Sequence, residues 1–278
     1  MTDLVLTDER RKELAALLDD DQRLRAEYPA VAEYLDMAPQ LQGTGDDRAD
    51  AAFDLRFVHY VTGGSDQSVN PYWEIVAPSV SVHSGRRIVD GGQLNGSARL
   101  AYAHMSLQAI YAYAVPSPQT LDWVARFCAG RPVIEPGAGR GYWAAQLIAV
   151  GLTVDAYDVE PPGKVENVSF PSTPGQQAVW HRVDDMGRYA ARIGDCADSV
   201  LFLCWPPGWG SNMASQSLMD FEQGGGDRLV FVGEQRGGKT GDDAFFDRLE
   251  TGWRLASEDD DYVSWWNQAD IAQGWVRR

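Results

Sequence analysis

The run Glu135–Gly141 (EPGAGRG) combines an acidic residue with three glycines at alternate positions. The short apolar segment PVIE leads into it, and WAAQLIAV, a segment with the apolar content of a helix, follows soon after. Glycines at the end of a strand let the backbone turn tightly and approach a ligand closely. The pattern therefore predicts a ligand site over the end of a strand, with the Glu135 carboxylate at the strand's last position.

The spacing of the glycines decides between ligands. A dinucleotide-binding loop has the pattern G-x-G-x-x-G or G-x-G-x-x-A, which seats a pyrophosphate on the N-terminus of the following helix. Here Gly141 comes one residue early, and Tyr142 occupies the position of the last small residue. NAD is therefore disfavoured as a cofactor.

The pattern E/D-x-G-x-G-x-G instead resembles the glycine loop of the class I S-adenosylmethionine-dependent methyltransferases, which bind no phosphate there. The resemblance continues along the chain in the family's order. Asp158 ends the next apolar segment, VDAYD, where the family places a carboxylate against both ribose hydroxyls. Asp184 lies at the end of WHRVDD, where the family offers an acid to the adenine amino group. A carboxylate suits a diol because both of its oxygens accept hydrogen bonds.

The resemblance covers residues 131–278 and implies S-adenosylmethionine as the cofactor. The cofactor-binding residues that we predict from it are Tyr113, Glu135, Gly137, Ala138, Gly139, Gly141, Asp158, Val159, Asp184 and Cys204. Taken singly, the features have simpler explanations, since a glycine loop can be a turn, Asp158 a helix cap and Asp184 a solvated charge. Their common order along the chain favours the cofactor site.

The segment Trp205–Trp209 (WPPGW) follows the fourth predicted strand, at the place of the family's substrate-facing motif. It resembles the Asp/Asn-Pro-Pro-aromatic motif of amino-group methyltransferases. Trp205 replaces the Asp or Asn, so the side-chain acceptor is missing and methylation of adenine is disfavoured. We predict Trp205, Pro206 and Trp209 as substrate-binding residues, because indole faces suit apolar or cationic groups. Packing of the two indoles beneath the loop explains them equally well.

A second motif, Gly233–Thr240 (GEQRGGKT), satisfies the phosphate-binding pattern G-x-x-x-x-G-K-[ST] after an apolar run. Only 38 residues follow Thr240, which is too little chain for the further strands that such a fold requires. Asp242 and Asp243 would also place negative charge at a helix N-terminus, where phosphates bind. We therefore interpret the segment as the loop after the fifth strand.

Methyl transfer from a sulfonium needs positioning and the exclusion of water, and it compels no residue to act as a base. His104 and Glu234 are the titratable candidates for a catalytic role. The predicted helix of His104 leads toward the glycine loop, and Glu234 ends the fifth strand. A lone histidine on such a helix is more often a packed or surface residue.

An α/β fold must position these residues. From residue 131 onward, apolar runs of four to six residues alternate with helix-length segments. This predicts a Rossmann-like, mostly parallel seven-stranded sheet with helices on both faces. The predicted strands are PVIE, TVDAYDV, WHRVDD, SVLFLCW, RLVFVGE, WRLASE and QGWVRR. The last two close the sheet, and one of them is expected to be antiparallel.

The first hundred residues match no known pattern. Apolar residues near helical spacing predict one or two helices within residues 1–35, with Thr7 as an N-cap. A loop is expected over 40–50 and helices over 97–113 and 121–128. We expect a largely helical extension over 1–105. The resemblance implies a methyltransferase domain over 106–278 and, for the extension, the role of a lid or substrate-binding part.

The 278 residues include 24 basic and 40 acidic side chains, and the net charge of −16 disfavours nucleic acids and anionic membranes as partners. The three cysteines lack metal-ligand spacing, which predicts no metal site and suits reduced thiols in the cytoplasm. No signal peptide or membrane span is predicted.

Small molecules and peptides are therefore the expected acceptors, for N- or O-methylation. Two alternatives stay open. One is a nucleic acid amino-group methyltransferase, which only the Pro-Pro motif favours. The other is a non-catalytic module that binds S-adenosylmethionine without turning it over.

Overall fold

The computed structural model describes residues 4–64 and 68–278, and within residues 4–64 and 68–110 it contains helices and one β-hairpin. The helices are α1 (Asp8–Leu18), α2 (Asp21–Glu27), α3 (Pro29–Met37), α4 (Asp47–Val61), α5 (Pro71–Val76) and α6 (Ala98–Ile110), and the hairpin strands are β1 (Val80–His83) and β2 (Arg86–Val89). The predicted N-cap is confirmed, since the Thr7 hydroxyl accepts a hydrogen bond of 3.1 Å from the main-chain N of Arg10.

The segment 40–50 is expected to be a loop, but in the structure the loop ends at Asp46. The Asp46 carboxylate accepts hydrogen bonds of 2.9 and 3.1 Å from the main-chain N atoms of Arg48 and Ala49, and α4 begins at Asp47. A carboxylate at this position satisfies the free amides of the first turn and the helix dipole. The acidic run is thus a helix cap and the start of a helix, and the expectation of a loop was wrong for residues 47–50.

The rest of the chain alternates between strands and helices, as the apolar runs predict. The elements are α7 (Pro118–Cys128), β3 (Val133–Pro136), α8 (Tyr142–Ala149), β4 (Val154–Asp158), β5 (Val183–Asp185), α9 (Met186–Ile193), β6 (Val200–Cys204), α10 (Met213–Gln223), β7 (Arg228–Glu234), α11 (Asp243–Gly252), β8 (Trp253–Glu258), β9 (Val263–Trp265) and β10 (Asp270–Arg277).

Seven of these strands form one sheet in the order β5-β4-β3-β6-β7-β10-β8. Neighbouring strands are parallel from β5 to β7, whereas β10 runs antiparallel to both β7 and β8. The predicted mostly parallel seven-stranded sheet is therefore confirmed. The order reverses at β3, because the chain goes outward to β4 and β5 and then returns to β6 on the other side. Such a reversal opens a crevice at the carboxyl ends of the strands, where ligands bind in sheets of this kind.

Alternate residues of the strands face two separate cores. In β6, Val200 and Phe202 pack into one hydrophobic cluster, and Leu201 and Leu203 pack into the other. Side chains of a strand point alternately to the two faces of its sheet, so both faces are covered. This double burial explains why β6 appears in the sequence as an unbroken apolar run.

A second sheet ties the end of the chain to its beginning. Strand β9 pairs in parallel with β2, with Val263 opposite Arg87, and the sheet order is β1-β2-β9. The sequence showed only a loop between β8 and β10, because three residues carry too little pattern and their pairing partner lies far away in the chain. Helix α6 spans the expected boundary between residues 105 and 106, and the division into two domains stays a prediction.

None of the helices within residues 4–64 and 68–278 has both the length and the apolar character that crossing a membrane requires.

Candidate functional site

A cavity of about 490 Å³ opens over the ends of β3, β4, β6 and β7, at the point where the strand order reverses. This volume lies within the usual range for small-molecule sites. The cavity walls are mostly apolar, and seven of the lining residues are aromatic, namely Tyr111, Tyr113, Tyr142, Trp143, Phe170, Trp205 and Trp209. The carboxylates among the lining residues are Glu135, Asp158 and Glu160.

Many residues predicted from the sequence line this cavity. They are Tyr113, Glu135, Gly137, Ala138, Asp158, Val159, Cys204, Trp205 and Trp209. Other predicted residues lie outside the lining, namely His104, Gly139, Gly141, Asp184, Pro206 and Glu234.

The glycine loop connects β3 to α8 and requires two of its glycines for steric reasons. Gly139 and Gly141 have φ angles of 57° and 77°. A Cβ at Gly141 would lie 2.7 Å from the carbonyl oxygen of His181, and one at Gly139 would lie 2.6 Å from the ring of Phe170. Because neither glycine has a side chain, the loop can turn and His181 and Phe170 can pack close to it. Neither glycine lines the cavity.

Three amide groups of the loop are already engaged. The main-chain N of Ala138 donates to the carbonyl of Tyr157 at 3.0 Å, that of Gly141 donates to the carbonyl of Ala138 at 2.8 Å, and that of Gly139 donates to Oδ2 of Asp158 at 2.8 Å. A phosphate-binding loop needs its amides free for the anion. This geometry agrees with the glycine spacing and disfavours a pyrophosphate ligand.

Asp158, the last residue of β4, is buried and holds two loops together. Besides the Gly139 amide at Oδ2, its Oδ1 accepts from the main-chain N of Glu160 at 2.9 Å and from the side-chain amide of Asn167 at 3.4 Å. Burial raises the pKa of Asp158. A carboxylate has about four acceptor positions, so Asp158 can still accept from a ligand in the cavity.

Glu135, the next-to-last residue of β3, is a buried carboxyl group without compensation. Its Oε2 atom has no hydrogen-bond partner among the described residues. Burial, with a smaller effect of the neighbouring Asp158 charge, raises the pKa of Glu135 to about 8. An uncompensated carboxylate is costly in such surroundings, so the group is expected to stay protonated near neutral pH unless a cation enters the cavity.

Trp205, directly after β6, has an unusual backbone and a fixed ring. Its φ is 51°, in the left-handed region that bulky residues rarely occupy. The indole Nε1 donates to Oδ2 of the buried Asp270 at 3.1 Å, and the ring stacks on Tyr113 with centroids 5.6 Å apart. The indole thus stands in the cavity wall and is not merely packed beneath its loop. The next residue, Pro206, faces away from the lining, and Pro207 takes part in it instead.

The two residues considered for catalysis lie away from the cavity lining. His104 is buried and stacks on Trp265 with centroids 4.3 Å apart, and burial lowers its pKa to about 3. Glu234 is buried and closes the loop after β7, since its carboxylate accepts from the main-chain N atoms of Lys239 at 2.7 Å and Ala269 at 3.2 Å. The stacking of His104, which lies on α6, against Trp265 accounts for its position. The closure of the loop after β7 accounts for that of Glu234.

Asp184 lies on β5 opposite Tyr157 of β4, and its carboxylate pairs with two arginines. The distances are 3.0 Å to Nη2 of Arg182 and 3.7 Å to Nε of Arg188. Because the Asp184 carboxylate pairs with the two arginines, this geometry does not favour its expected contact with an adenine amino group. The alternation of side chains along β5 sets the face on which the Asp184 side chain lies, and Arg188 of the neighbouring helix α9 pairs with it there.

The GEQRGGKT segment does not form a phosphate cradle. The amide of Lys239 is taken by Glu234, that of Gly238 donates to the carbonyl of Gln235 at 2.9 Å, and that of Gly241 donates to the carbonyl of Pro206 at 3.0 Å. The segment instead pairs with the Pro-Pro loop, through a bridge between Pro207 and Thr240. The interpretation as a loop after the fifth strand is confirmed, and this loop brings Lys239 and Thr240 to the cavity.

Several residues that line the cavity were not predicted from the sequence. Glu160 follows Asp158 by two positions, and its proximity to the end of β4 is the sequence feature that could have identified it. Asn167, Ser169 and Phe170 come from the connection between β4 and β5, residues 159–182, which contains neither helix nor strand. Long loops without secondary structure often serve function, but their composition does not show which side chains turn inward.

Comparison with known proteins gives likenesses of structure only. No protein-family model matches the chain, and no curated protein matches it in sequence. Magnesium protoporphyrin IX methyltransferase from Synechocystis PCC 6803, solved with bound SAM, is 12% identical, with 85% of this chain and 100% of that chain covered and a TM-score of 0.38. The N,N-8-amino-8-demethyl-D-riboflavin dimethyltransferase from Streptomyces davawensis is 13% identical, with 98% and 99% covered and a TM-score of 0.34.

The CcbJ methyltransferase from Streptomyces caelestis is 15% identical, with 57% of this chain and 88% of that chain covered and a TM-score of 0.34. Since these identities and TM-scores are low, we argue the function from the residues of the cavity.

Proposed function

We propose that the protein is an S-adenosylmethionine-dependent methyltransferase acting on a small-molecule or peptide acceptor. The observation that carries the proposal is Glu135, a buried carboxyl group with an unpartnered oxygen in a cavity over the strand ends. A cationic ligand would compensate this group, and an anionic phosphate ligand would oppose it. S-adenosylmethionine carries an ammonium and a sulfonium and has no phosphate.

The cavity residues fit the parts of this cofactor. Asp158 and Glu160, at the end of β4, would accept hydrogen bonds from the ribose hydroxyls. Glu135, at the end of β3, would accept from the ammonium group. Neighbouring strands lie about 4.8 Å apart, so the two strand ends can meet successive parts of one molecule. Gly137, Ala138 and Cys204 complete the wall beside it.

When bound, S-adenosylmethionine supplies an electrophilic methyl group on a positively charged sulfur. The chain contributes position and environment. Trp205 and Tyr113 form an aromatic part of the wall, and their mutual stacking and the Asp270 hydrogen bond hold them in place. The mostly apolar walls exclude water from the region where the acceptor has to approach.

Asp158, Cys204, Tyr111 and Tyr142 are poorly suited to remove a proton, and Glu135 and Glu160 are assigned to the cofactor. Both oxygens of Asp158 accept hydrogen bonds from the protein, and burial raises the pKa of the Cys204 thiol well above its usual value. Burial also raises the pKa of the Tyr111 and Tyr142 phenols, which therefore stay neutral. We therefore assign catalysis to positioning and place no catalytic base.

Isothermal titration calorimetry with S-adenosylmethionine, S-adenosylhomocysteine, NAD and ATP tests the proposal. We expect the first two to bind and the last two to give no heat of binding. Binding of ATP or NAD without S-adenosylmethionine would overturn it. Incubation with methyl-labelled cofactor and fractionated small-molecule and peptide extracts then tests turnover, and binding without any transfer of label would favour the non-catalytic module.

A further inference from the structure

We infer that the end of the cavity beside β6 and β7 binds a planar aromatic ligand that carries an anionic oxygen. We call this end the outer site and define it by Tyr113, Trp205, Trp209 and Lys239, all of which line the cavity. The inference rests on the proposed function, in which this ligand is the methyl acceptor.

The charges of the cavity are separated along the sheet. The three carboxylates, Glu135, Asp158 and Glu160, follow or end β3 and β4. Lys239 follows β7 and is the only lysine or arginine among the described residues of the lining. In the sheet order, β4 and β7 are three strand spacings apart, about 14 Å at about 4.8 Å per spacing. A cationic ligand is thus favoured at one end and an anionic group at the other.

Lys239 is held in a way that leaves its ammonium available. Its main-chain N donates to Oε2 of Glu234 at 2.7 Å, and its Nζ lies 3.7 Å from Oε1 of the same carboxylate. Glu234 is buried, whereas the Lys239 side chain is 51% exposed. An ammonium has three donors, and a single contact of this length leaves them free for a ligand in the cavity. Glu234 therefore positions Lys239 and does not itself meet the ligand.

Aromatic surfaces border the lysine. Trp209 is 83% exposed, an unusual state for so large a ring. It also lines a shallow polar depression next to the cavity, so it stands at the rim between the two. The Trp205 ring, fixed by Asp270, and Tyr113 form the wall behind it. Stacking on such faces favours a flat, apolar ligand body.

The lysine decides the sign of the ligand's charge. Indole faces alone would suit a cationic ligand as well as an apolar one, and the sequence left both open. A cationic ligand in the outer site would face the Lys239 ammonium and be repelled by it. A carboxylate or phenolate oxygen would be attracted, and either one is the anionic oxygen in question.

Binding titrations with matched probes test the inference without requiring turnover. The probes are 2-naphthoate, its neutral isostere naphthalene-2-carboxamide, and the cation 2-naphthylmethylammonium, with an ionised nitrophenol as the phenolate arm. They are titrated into the full-length protein, with and without saturating S-adenosylhomocysteine, and followed by tryptophan fluorescence and calorimetry. We expect naphthoate or the phenolate to bind at least tenfold more tightly than the carboxamide and the cation. Comparing the two anions shows which oxygen the site prefers.

Three variants separate charge from stacking. Lys239→Met should remove the preference for the anion and leave the affinity for the carboxamide unchanged, and Lys239→Arg should retain the preference. Trp209→Ala should weaken all aromatic probes severalfold. Circular dichroism checks that each variant is folded.

The outcomes that overturn the inference are distinct. They are equal or tighter binding of the cation, a preference that survives in Lys239→Met, or no binding of any probe at millimolar concentration. If Lys239→Met instead weakens S-adenosylhomocysteine, the lysine holds the cofactor's carboxylate and the inference fails. If S-adenosylhomocysteine does not bind to the unmodified protein, the proposed function fails, while the probe titrations alone still decide the charge preference of the outer site.

Discussion

The indole Nε1 of Trp205 donates a hydrogen bond of 3.1 Å to Oδ2 of Asp270, which links the residue after β6 to the first residue of β10. Asp270 is buried and accepts two further hydrogen bonds, from the hydroxyl of Tyr262 at 2.6 Å and from that of Ser264. Trp205 occupies a left-handed backbone conformation, which costs about 1–3 kcal/mol in a non-glycine residue. The bond offsets part of this cost and fixes the ring that forms the cavity wall.

We expect Trp205→Phe to lower the free energy of unfolding by about 1.5–3 kcal/mol, the usual value for a hydrogen bond to a charged group. The phenyl ring keeps the stacking on Tyr113 and loses the donor. Urea denaturation followed by circular dichroism measures the change. Trp209→Phe is the matched control, because that ring is exposed, and its effect should stay within about 0.5 kcal/mol. Equal losses in the two variants would contradict the role of Asp270.

Glu135 should make the ligand-free protein less stable as the pH rises. Burial raises its pKa to about 8 in the folded state, whereas an unfolded glutamate titrates near 4.3. Between these pH values the folded chain binds a proton that the unfolded chain does not, so the contribution of this group to stability falls over that range.

The variant Glu135→Gln lacks this titration. Its stability relative to the unmodified protein should increase from pH 5 to pH 9 by roughly 2–4 kcal/mol, at about 1.4 kcal/mol for each unit of pKa. Guanidinium denaturation of both proteins at several pH values provides the comparison. Parallel pH profiles would show that Glu135 does not ionise in this way.

Binding of S-adenosylmethionine should release a proton from Glu135. With a pKa of about 8, the carboxyl group is mostly protonated at pH 7, and a bound cation lowers that pKa. Calorimetry at pH 7 in two buffers of different ionisation enthalpy should give close to one proton released per cofactor, and less at pH 9. Glu135→Gln should release none. The same release from the variant would assign the proton to another group.

We expect Asp158→Ala to weaken S-adenosylmethionine at least tenfold, about 1.4 kcal/mol, because it removes a ribose acceptor and the bond that orients the Gly139 amide. Asp184→Ala is the control, as an acid at the next strand end whose carboxylate pairs with arginines outside the cavity. Its affinity should equal that of the unmodified protein. Calorimetric titration measures both, and a folded Asp158→Ala protein with unchanged affinity would refute the ribose contact.

The glycine loop should tolerate no side chain at Gly141. A Cβ there would lie 2.7 Å from the His181 carbonyl, and a backbone atom cannot move aside as a side chain does. Gly151 also has a positive φ but has nothing within 4 Å of the corresponding position. We expect Gly151→Ala to cost about 1–2 kcal/mol through backbone strain alone and Gly141→Ala to cost clearly more. Thermal unfolding compares the two, and equal costs would show that the loop adapts.

The sequence by itself determined the central sheet. Strands buried on both faces are apolar at most positions, so β3, β4, β6 and β7 stand out as short runs between helix-length segments. Through the family resemblance, the order of the motifs also predicted Glu135 and Asp158 at the ends of the first two strands of this sheet. These signals depend on residues that are close together in the chain, so they can be recognised without knowing which distant residues make contact.

Only the tertiary structure decided what the polar side chains of the site do. Trp205 and Asp270 are 65 residues apart, and Glu234 binds the amides of Lys239 and Ala269 from two different loops. Phe170 reaches the glycine loop from a connection without secondary structure, and β9 exists only because β2 lies beside it. A hydrogen bond or a contact depends on which groups packing brings within a few ångströms of each other. That distance is set by the whole fold, whereas the apolar pattern of a strand is set by its own residues.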